Sequence, residues 1–405
     1  MPLTQSHKQF LTPKGEIDAR LAALRTALER QGIAAAWIEH KSDLLYYCGS
    51  LQDGVLLVPA SGPTVFYVRA SRERAAFEAS VEVQPFPGFR ALAAELTQLC
   101  TQGAAGLTLD VIPASTYLRL AKALDTVEIK DLAPTIRLQR ATKSQWEIEQ
   151  LRGAAQQAMG ALRYIPTQLK PGISELELSA LIEAQLRRLG HGGVLRLRRM
   201  GQELALIMAV SGASASYPTN FDGPVGGEAP YPSVAAGAGR NTIVADSSFM
   251  SDMVTMYNGY HSDNARTFFL GADPPPQLRA AHDFCVEALQ RLESAARPGR
   301  TCADVFCEVD AWAKQVGEPP GFMGFGENRV KFFGHGVGLE LDELPVIADR
   351  VELELQAGMI IAVEPKAFLP QIGPAGLENT YLVTDQGLVS LCDHPHGLIL
   401  VTDYL

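Results

Sequence analysis

Asn258-Gly259, set between two runs of apolar and β-branched residues, constrains this chain more tightly than any other dipeptide in it. A type I′ turn needs positive φ at both central positions, which Asn followed by Gly supplies cheaply, so residues 243–268 read as a β-hairpin. The turn sets the register: residue 254 faces residue 263, and side chains alternate with period two. Asp252 and Asp263 then share one face as diagonal neighbours, roughly 7–8 Å apart. Two carboxylates amid Val and Met repel each other and are costly to bury unless protonated or bound to a cation. A hydrated, solvent-facing pair has the same spacing, so the hairpin alone is compatible with either a metal site or an exposed face.

Two more strand-like runs, 360–366 and 375–383, are joined by a Pro- and Gly-containing turn over 369–374, and each carries one glutamate in an apolar setting, Glu364 and Glu378. That is how a ligand looks in sequence, and also how a strand end looks. His335 lies between glycines in Phe332-Phe333-Gly334-His335-Gly336-Val337-Gly338. Flanking glycines allow close backbone approach and leave the imidazole uncrowded, which suits a metal ligand better than a packed core residue.

A chain of 405 residues fits two domains. Residues 15–31 carry Ile17, Leu21, Leu24 and Leu28 at helical spacing, with Gly32 as a stop. Apolar runs at 34–38, 55–58 and 64–68, with a helical stretch at 72–77, have the rhythm of an α/β domain ending near residue 135. Residues 136–146 read as a polar connector, and the pair Ser144 and Glu147 forms a capping box that opens a helix towards Ile165. In the second domain, 147–405, a helix, a Pro-Gly break and a second helix occur twice, at Pro171-Gly172 and Pro298-Gly299, with the second helices ending near Gly190 and Gly317. A diverged duplication would give two helix-helix-strand halves around a curved antiparallel sheet; ordinary helix punctuation would give the same pattern.

The formal charge of −10, with no basic stripe, argues against a nucleic-acid partner. Six cysteines without a C-x-x-C pair indicate neither a disulfide framework nor a thiolate zinc site. The first residues lack an apolar signal core and no apolar run is long enough to cross a bilayer, so a cytoplasmic protein with no membrane partner is expected.

The order Asp252, Asp263, His335, Glu364, Glu378, together with the G-H-G-x-G-L and N-G-Y-x-x-D-x-x-R-T elements, resembles the pita-bread metallopeptidases: methionine and Xaa-Pro aminopeptidases, prolidases and creatinase. Residues 1–135, with Tyr46-Tyr47-Cys48-Gly49 as a Tyr-x-x-Gly element, resemble the α/β creatinase-type N-terminal domain of the two-domain members, which are commonly homodimers. The resemblance implies an α+β pita-bread domain over 147–405 and two divalent ions. Asp252 would chelate one ion, Asp263 and Glu378 would bridge both, and His335 and Glu364 would bind the second. Manganese is the first choice, with cobalt, iron or zinc as alternatives. It further implies that a bridging hydroxide attacks the bond before proline in short peptides, with Glu364 moving the proton.

Two departures stand out. The family's peptidases carry two more histidines near the substrate, and here Thr219 and Asp342 stand at those positions. Three functions follow: an Xaa-Pro peptidase of altered specificity, with Asp342 as a substitute acid/base or a partner for a substrate amine; a metal-dependent enzyme acting on a small non-peptide amide; or a non-catalytic metal-binding protein. Arg196, Arg198, Arg199 and Asp222 lie in a loop-rich region placed to border the pocket, although arginines beside a turn are more often surface residues.

Overall fold

In the computed structural model, which describes residues 5–199, 201–219, 222–326 and 329–402, the first amphipathic stretch is the helix Lys14–Gln31. It buries Ile17, Leu21, Leu24 and Leu28 and stops at Gly32, whose φ of 64° closes a left-handed cap. The chain divides into two compact units, Met1–Arg140 and Ala141–Leu405.

The first unit is a six-stranded mixed sheet flanked by helices. Its strands are β1 (Ile33–Ile38), β2 (Gly54–Pro59), β3 (Val65–Val68), β4 (Glu82–Pro85), β5 (Ala104–Leu107) and β6 (Ile129–Asp131), in the order β4-β3-β2-β1-β5-β6. The pairs β1–β2 and β2–β3 are antiparallel; β3–β4, β1–β5 and β5–β6 are parallel. Trp37, Leu57, Leu96 and Leu107 lie in its apolar core.

Most of the expected polar connector is instead helical, because the helix Ala133–Ala141 runs through it. Its polarity is deceptive. Ile136 and Ala141 are fully buried, and the buried Arg140 guanidinium donates to the equally buried Asp43 carboxylate at 2.7 Å. The capping box follows directly: the Glu147 amide donates to Ser144 Oγ and Glu147 Oε2 accepts from the Ser144 amide, opening the helix Gln145–Tyr164.

The second unit contains β7 (Ile207–Ser211), β8 (Ser248–Tyr257), β9 (Tyr260–Leu270), β10 (Phe332–Gly336), β11 (Glu343–Ala348), β12 (Ile360–Val363), β13 (Lys366–Leu369), β14 (Gly373–Thr384), β15 (Gly387–Ser390) and β16 (Ile399–Val401). The order is β11-β10-β12-β14-β9-β8-β7, with β13 and β15 also on β14, and β16 parallel to β9. Helix pairs Gln145–Tyr164/Glu175–Arg188 and Pro276–Ala295/Cys302–Val316 pack against it.

The twofold repetition is real in the backbone. After the first Pro-Gly break the amides of Gly172, Glu175 and Leu176 donate to the carbonyls of Ile243, Asn241 and Gly239. After the second, the amides of Gly299, Cys302 and Ala303 donate to those of Leu355, Leu353 and Val351, at the same steps along the chain. Both breaks need a positive φ, 93° at Gly172 and 85° at Gly299. Each half has its own apolar cluster, and the halves meet where β9 pairs β14 at Leu377↔Arg266 and Glu378↔Ala265.

Candidate metal centre

The β8–β9 turn has the conformation its sequence demands, with φ 48° at Asn258 and 92° at Gly259. Val254 pairs with Asp263 and Asp252 with Ala265, so the aspartates are diagonal neighbours. Both are nearly buried, at 9% exposure for Asp252 and 6% for Asp263, which removes the hydrated-face alternative. Thr380 on β14 fixes the Asp263 backbone: its hydroxyl accepts from the Asp263 amide and donates to the Asp263 carbonyl, both at 2.9 Å.

The expected strand over 360–366 is broken in two. Pro365 has no amide to donate, so pairing with β14 lapses after Val363↔Asn379 and resumes in the same register at Lys366↔Gly376. Glu364 and Glu378 are thereby opposed across the gap. His335 sits on β10 between β11 and β12. Its flanking glycines serve the sheet more than the ring, since a Cβ at Gly334 would strike the Ala362 carbonyl and one at Gly336 the Leu344 carbonyl.

The five sequence-predicted ligands converge. His335 Nε2 is 3.9 Å from Asp263 Oδ2 and 3.8 Å from Glu364 Oε1. Two overlapping triads, Asp263/His335/Glu378 and Asp252/Glu364/Glu378, each place their donor atoms within 4.8 Å of one another. Among the described residues, Asp263 Oδ1 and Glu378 Oε1 are buried without a hydrogen-bond partner. Such oxygens are costly unless something cationic meets them.

A sixth residue, unmarked by the sequence reading, shares the site. Lys366 is two residues beyond Glu364 and fully buried, and its Nζ donates to Asp252 Oδ2 at 2.7 Å, Glu364 Oε2 at 2.8 Å and Glu378 Oε2 at 2.6 Å. Burial works against its charge, but Asp252, Glu364, Glu378 and Asp263 outweigh that and push its pKa well above the usual lysine value. Burial first, and then the Asp252 charge, raise Asp263 well above the normal carboxylate range; burial and then Asp263 do the same to Glu378. The donor set is oxygen-rich with one imidazole, and the Asp263/His335/Glu378 triad fits a divalent ion. The Asp252/Glu364/Glu378 triad is already filled by the ammonium.

These side chains form one wall of a cavity of about 240 Å³. Leu204, Met208, Val225 and Val254 give it apolar walls, and Arg199, Asp222 and Asp342 add polar ones. Thr219 is not among the described residues that line it. Asp342 Oδ1 accepts from the Arg198 amide at 3.1 Å, and burial raises the Asp342 carboxyl above its ordinary value. Contrary to the expectation for loop arginines, Arg198 is buried and its guanidinium donates to Glu340 at 3.4 Å.

His261, the residue before Ser262-Asp263, pins this loop to the site. Its Nδ1 lies 2.9 Å from the Gly338 carbonyl, and its Nε2 accepts from the Arg196 amide at 3.3 Å, which fixes a neutral ring protonated on Nδ1. Burial lowers its pKa to about 4. The unfolded chain, with a histidine pKa near 6.5, therefore binds the proton more readily than the fold, and His261 costs stability as pH falls from about 6.5 towards 4. Relative to His261→Gln, the wild type is expected to lose about 2 kcal/mol more between pH 7 and pH 5 in urea unfolding. Equal losses would show that the ring is not held neutral.

A cluster of buried carboxylates with one half-buried imidazole on a duplicated helix-and-sheet scaffold defines a metal-dependent hydrolase fold, and the likeness to known proteins agrees. Residues 149–385 match metallopeptidase family M24 and residues 20–142 the creatinase/prolidase N-terminal domain; the chain belongs to family M24. It is 26% identical over 370 residues to the Xaa-Pro dipeptidase of Pyrococcus furiosus, covering 91% of this chain and 96% of that one. It is 28% identical over 394 residues to the probable dipeptidase PepE of Mycobacterium bovis, with coverages of 94% and 96%. The crystal structure of dipeptidase PepE from Mycobacterium ulcerans superposes with a TM-score of 0.79 at 26% identity, covering 97% of this chain and 100% of that one. The chain is thus a metallopeptidase-type hydrolase with the creatinase N-terminal domain and the pita-bread catalytic domain.

Proposed function

We propose that the protein is a metal-dependent dipeptidase that cleaves the bond before proline in short peptides. The observation that carries this is the triad of buried Asp263 and Glu378 with half-buried His335, with two unpartnered carboxylate oxygens, at the wall of a largely apolar cavity. A volume near 240 Å³ falls below the roughly 300–1,000 Å³ typical of pockets that engulf drug-sized ligands, which favours a two-residue substrate over a long peptide. The walls around Met208 and Val225 suit a pyrrolidine ring, and Arg199 and Asp222 offer one cation and one anion for the two charged ends of a free dipeptide.

Asp263, His335 and Glu378 would hold a divalent ion, manganese first, beside Asp252 and Glu364. Such an ion supplies a Lewis acid for the scissile carbonyl and lowers the pKa of water. Glu364 Oε1 faces His335 Nε2 while Oε2 is engaged by Lys366, so this carboxylate is anchored at one oxygen and free to take a proton at the other. The apolar walls exclude bulk water and strengthen each charge interaction inside. A cytoplasmic homodimer belongs to the same proposal, on the pattern of the two-domain types that the sequence resembles. The aspartate at 342 in the cavity wall favours one second reading, hydrolysis of a small non-peptide amide.

The test is hydrolysis of Xaa-Pro dipeptides, Xaa-Pro-Yaa tripeptides and small amides by protein reconstituted with Mn, Co, Fe or Zn. Dipeptide turnover is expected to fall roughly 10²–10⁴-fold in kcat for Glu364→Gln with bound metal unchanged. Metal binding with no turnover of any Xaa-Pro peptide would defeat the peptidase reading.

A further inference from the structure

We infer that the Lys366 ammonium takes the place of one of the two metal ions, so that this chain binds a single divalent ion at Asp263, His335 and Glu378. The inference rests on the metallohydrolase reading and narrows it. An ammonium has three donors, and the Lys366 Nζ spends all of them on Asp252, Glu364 and Glu378 at 2.6–2.8 Å, the same three residues that form one of the two candidate ion triads. The atoms left without partners, Asp263 Oδ1 and Glu378 Oε1, are buried, and both residues are members of the other triad, with Glu378 shared between the two. The cluster is therefore satisfied on one side and unsatisfied on the other, which is the pattern of a site with one cation already built in.

The lysine has little freedom to leave. Its side chain is 1% exposed, its carbonyl accepts from the Met323 amide at 2.8 Å, and its backbone pairs with Gly376, where a Cβ would come within 2.7 Å of the Lys366 Cα. One ammonium and one divalent ion set three positive charges against four carboxylates; adding a second ion while the lysine stays would overfill the site. The built-in cation also changes the role of Glu364. With Oε2 held by Nζ rather than by an ion, its other oxygen remains available for proton transfer.

Metal-depleted full-length protein is titrated with manganese; bound metal is counted by atomic emission after dialysis, and the same samples are examined by electron paramagnetic resonance. The wild type is expected to bind one manganese per chain with an uncoupled hyperfine pattern, Lys366→Ala two per chain with exchange coupling, and Asp263→Ala none. Two coupled ions in the wild type would overturn the inference while leaving the metallohydrolase reading standing. So would a single ion in a folded Lys366→Ala variant, since the lysine would then not be what excludes the second. No bound manganese in the wild type would overturn the reading as well. Should Lys366→Ala fail to fold, Lys366→Met keeps the stem volume, and the wild-type stoichiometry and spectrum decide the inference by themselves.

Discussion

Asp263→Ala is expected to abolish binding of divalent metal and to reduce hydrolysis by about a thousandfold or more, since Lewis-acid polarisation is worth several kcal/mol and each 1.4 kcal/mol or so is a factor of ten. The same variant should behave oppositely in stability. In the metal-free fold, burial and the neighbouring Asp252 charge disfavour the ionised Asp263 carboxylate, and one of its oxygens has no partner. Its folded pKa lies above the unfolded value, so near neutral pH it subtracts from stability. Metal-free Asp263→Ala should therefore melt at or above the temperature of the metal-free wild type, and added manganese should raise the melting temperature of the wild type alone. A variant that melts lower without metal would show that Asp263 is a structural residue; unchanged metal content would remove it from the ligand set.

Arg266→Ala is expected to destabilise the fold by about 4 kcal/mol, read as a shift of the urea midpoint at constant slope. The guanidinium is fully buried. It donates to the carbonyls of Ala265 and Glu378 at 2.8 and 2.9 Å, to those of Pro395 and His394 at 2.9 and 3.0 Å, and to Asn379 Oδ1 at 2.8 Å. Deletion leaves several buried acceptors unpaired, and lysine cannot reproduce the planar fork, so Arg266→Lys should recover little. A loss below about 1 kcal/mol would mean that water or neighbouring donors replace the guanidinium.

What could be read from sequence depended on how local the determinant was. Asn258-Gly259 dictates positive φ over two adjacent residues, and from that the register of Asp252 and Asp263 followed correctly. The two capping serines, Ser144 and Ser174, act within one helical turn; the first was legible for that reason. Lys366 was not, because its meaning lies in the approach of Nζ to Asp252, which is 114 residues away and brought near by β9, β14 and β13 in turn. A lysine in a strand otherwise buried throughout was the available signal. The helical connector escaped for a related reason: the polarity of Arg140 is cancelled by Asp43, a partner 97 residues earlier. Arg198 was misjudged as a surface residue because Glu340, its partner, lies 142 residues on.

The duplicated halves give the ligand set a mechanical meaning. Asp252 and Asp263 belong to the first half and His335, Glu364 and Glu378 to the second, and the two residue pairs of the β9–β14 ladder, one of them involving Glu378 itself, are reinforced by hydrogen bonds of Thr380, Thr267 and Arg266. A divalent ion held by Asp263 from one side and by His335 and Glu378 from the other would cross this seam, as the Lys366 ammonium already does between Asp252 and the two glutamates. Loss of the ion would then remove one of two cationic cross-links between the halves and leave the lysine's in place, so that the seam stays stitched while the reactive centre empties.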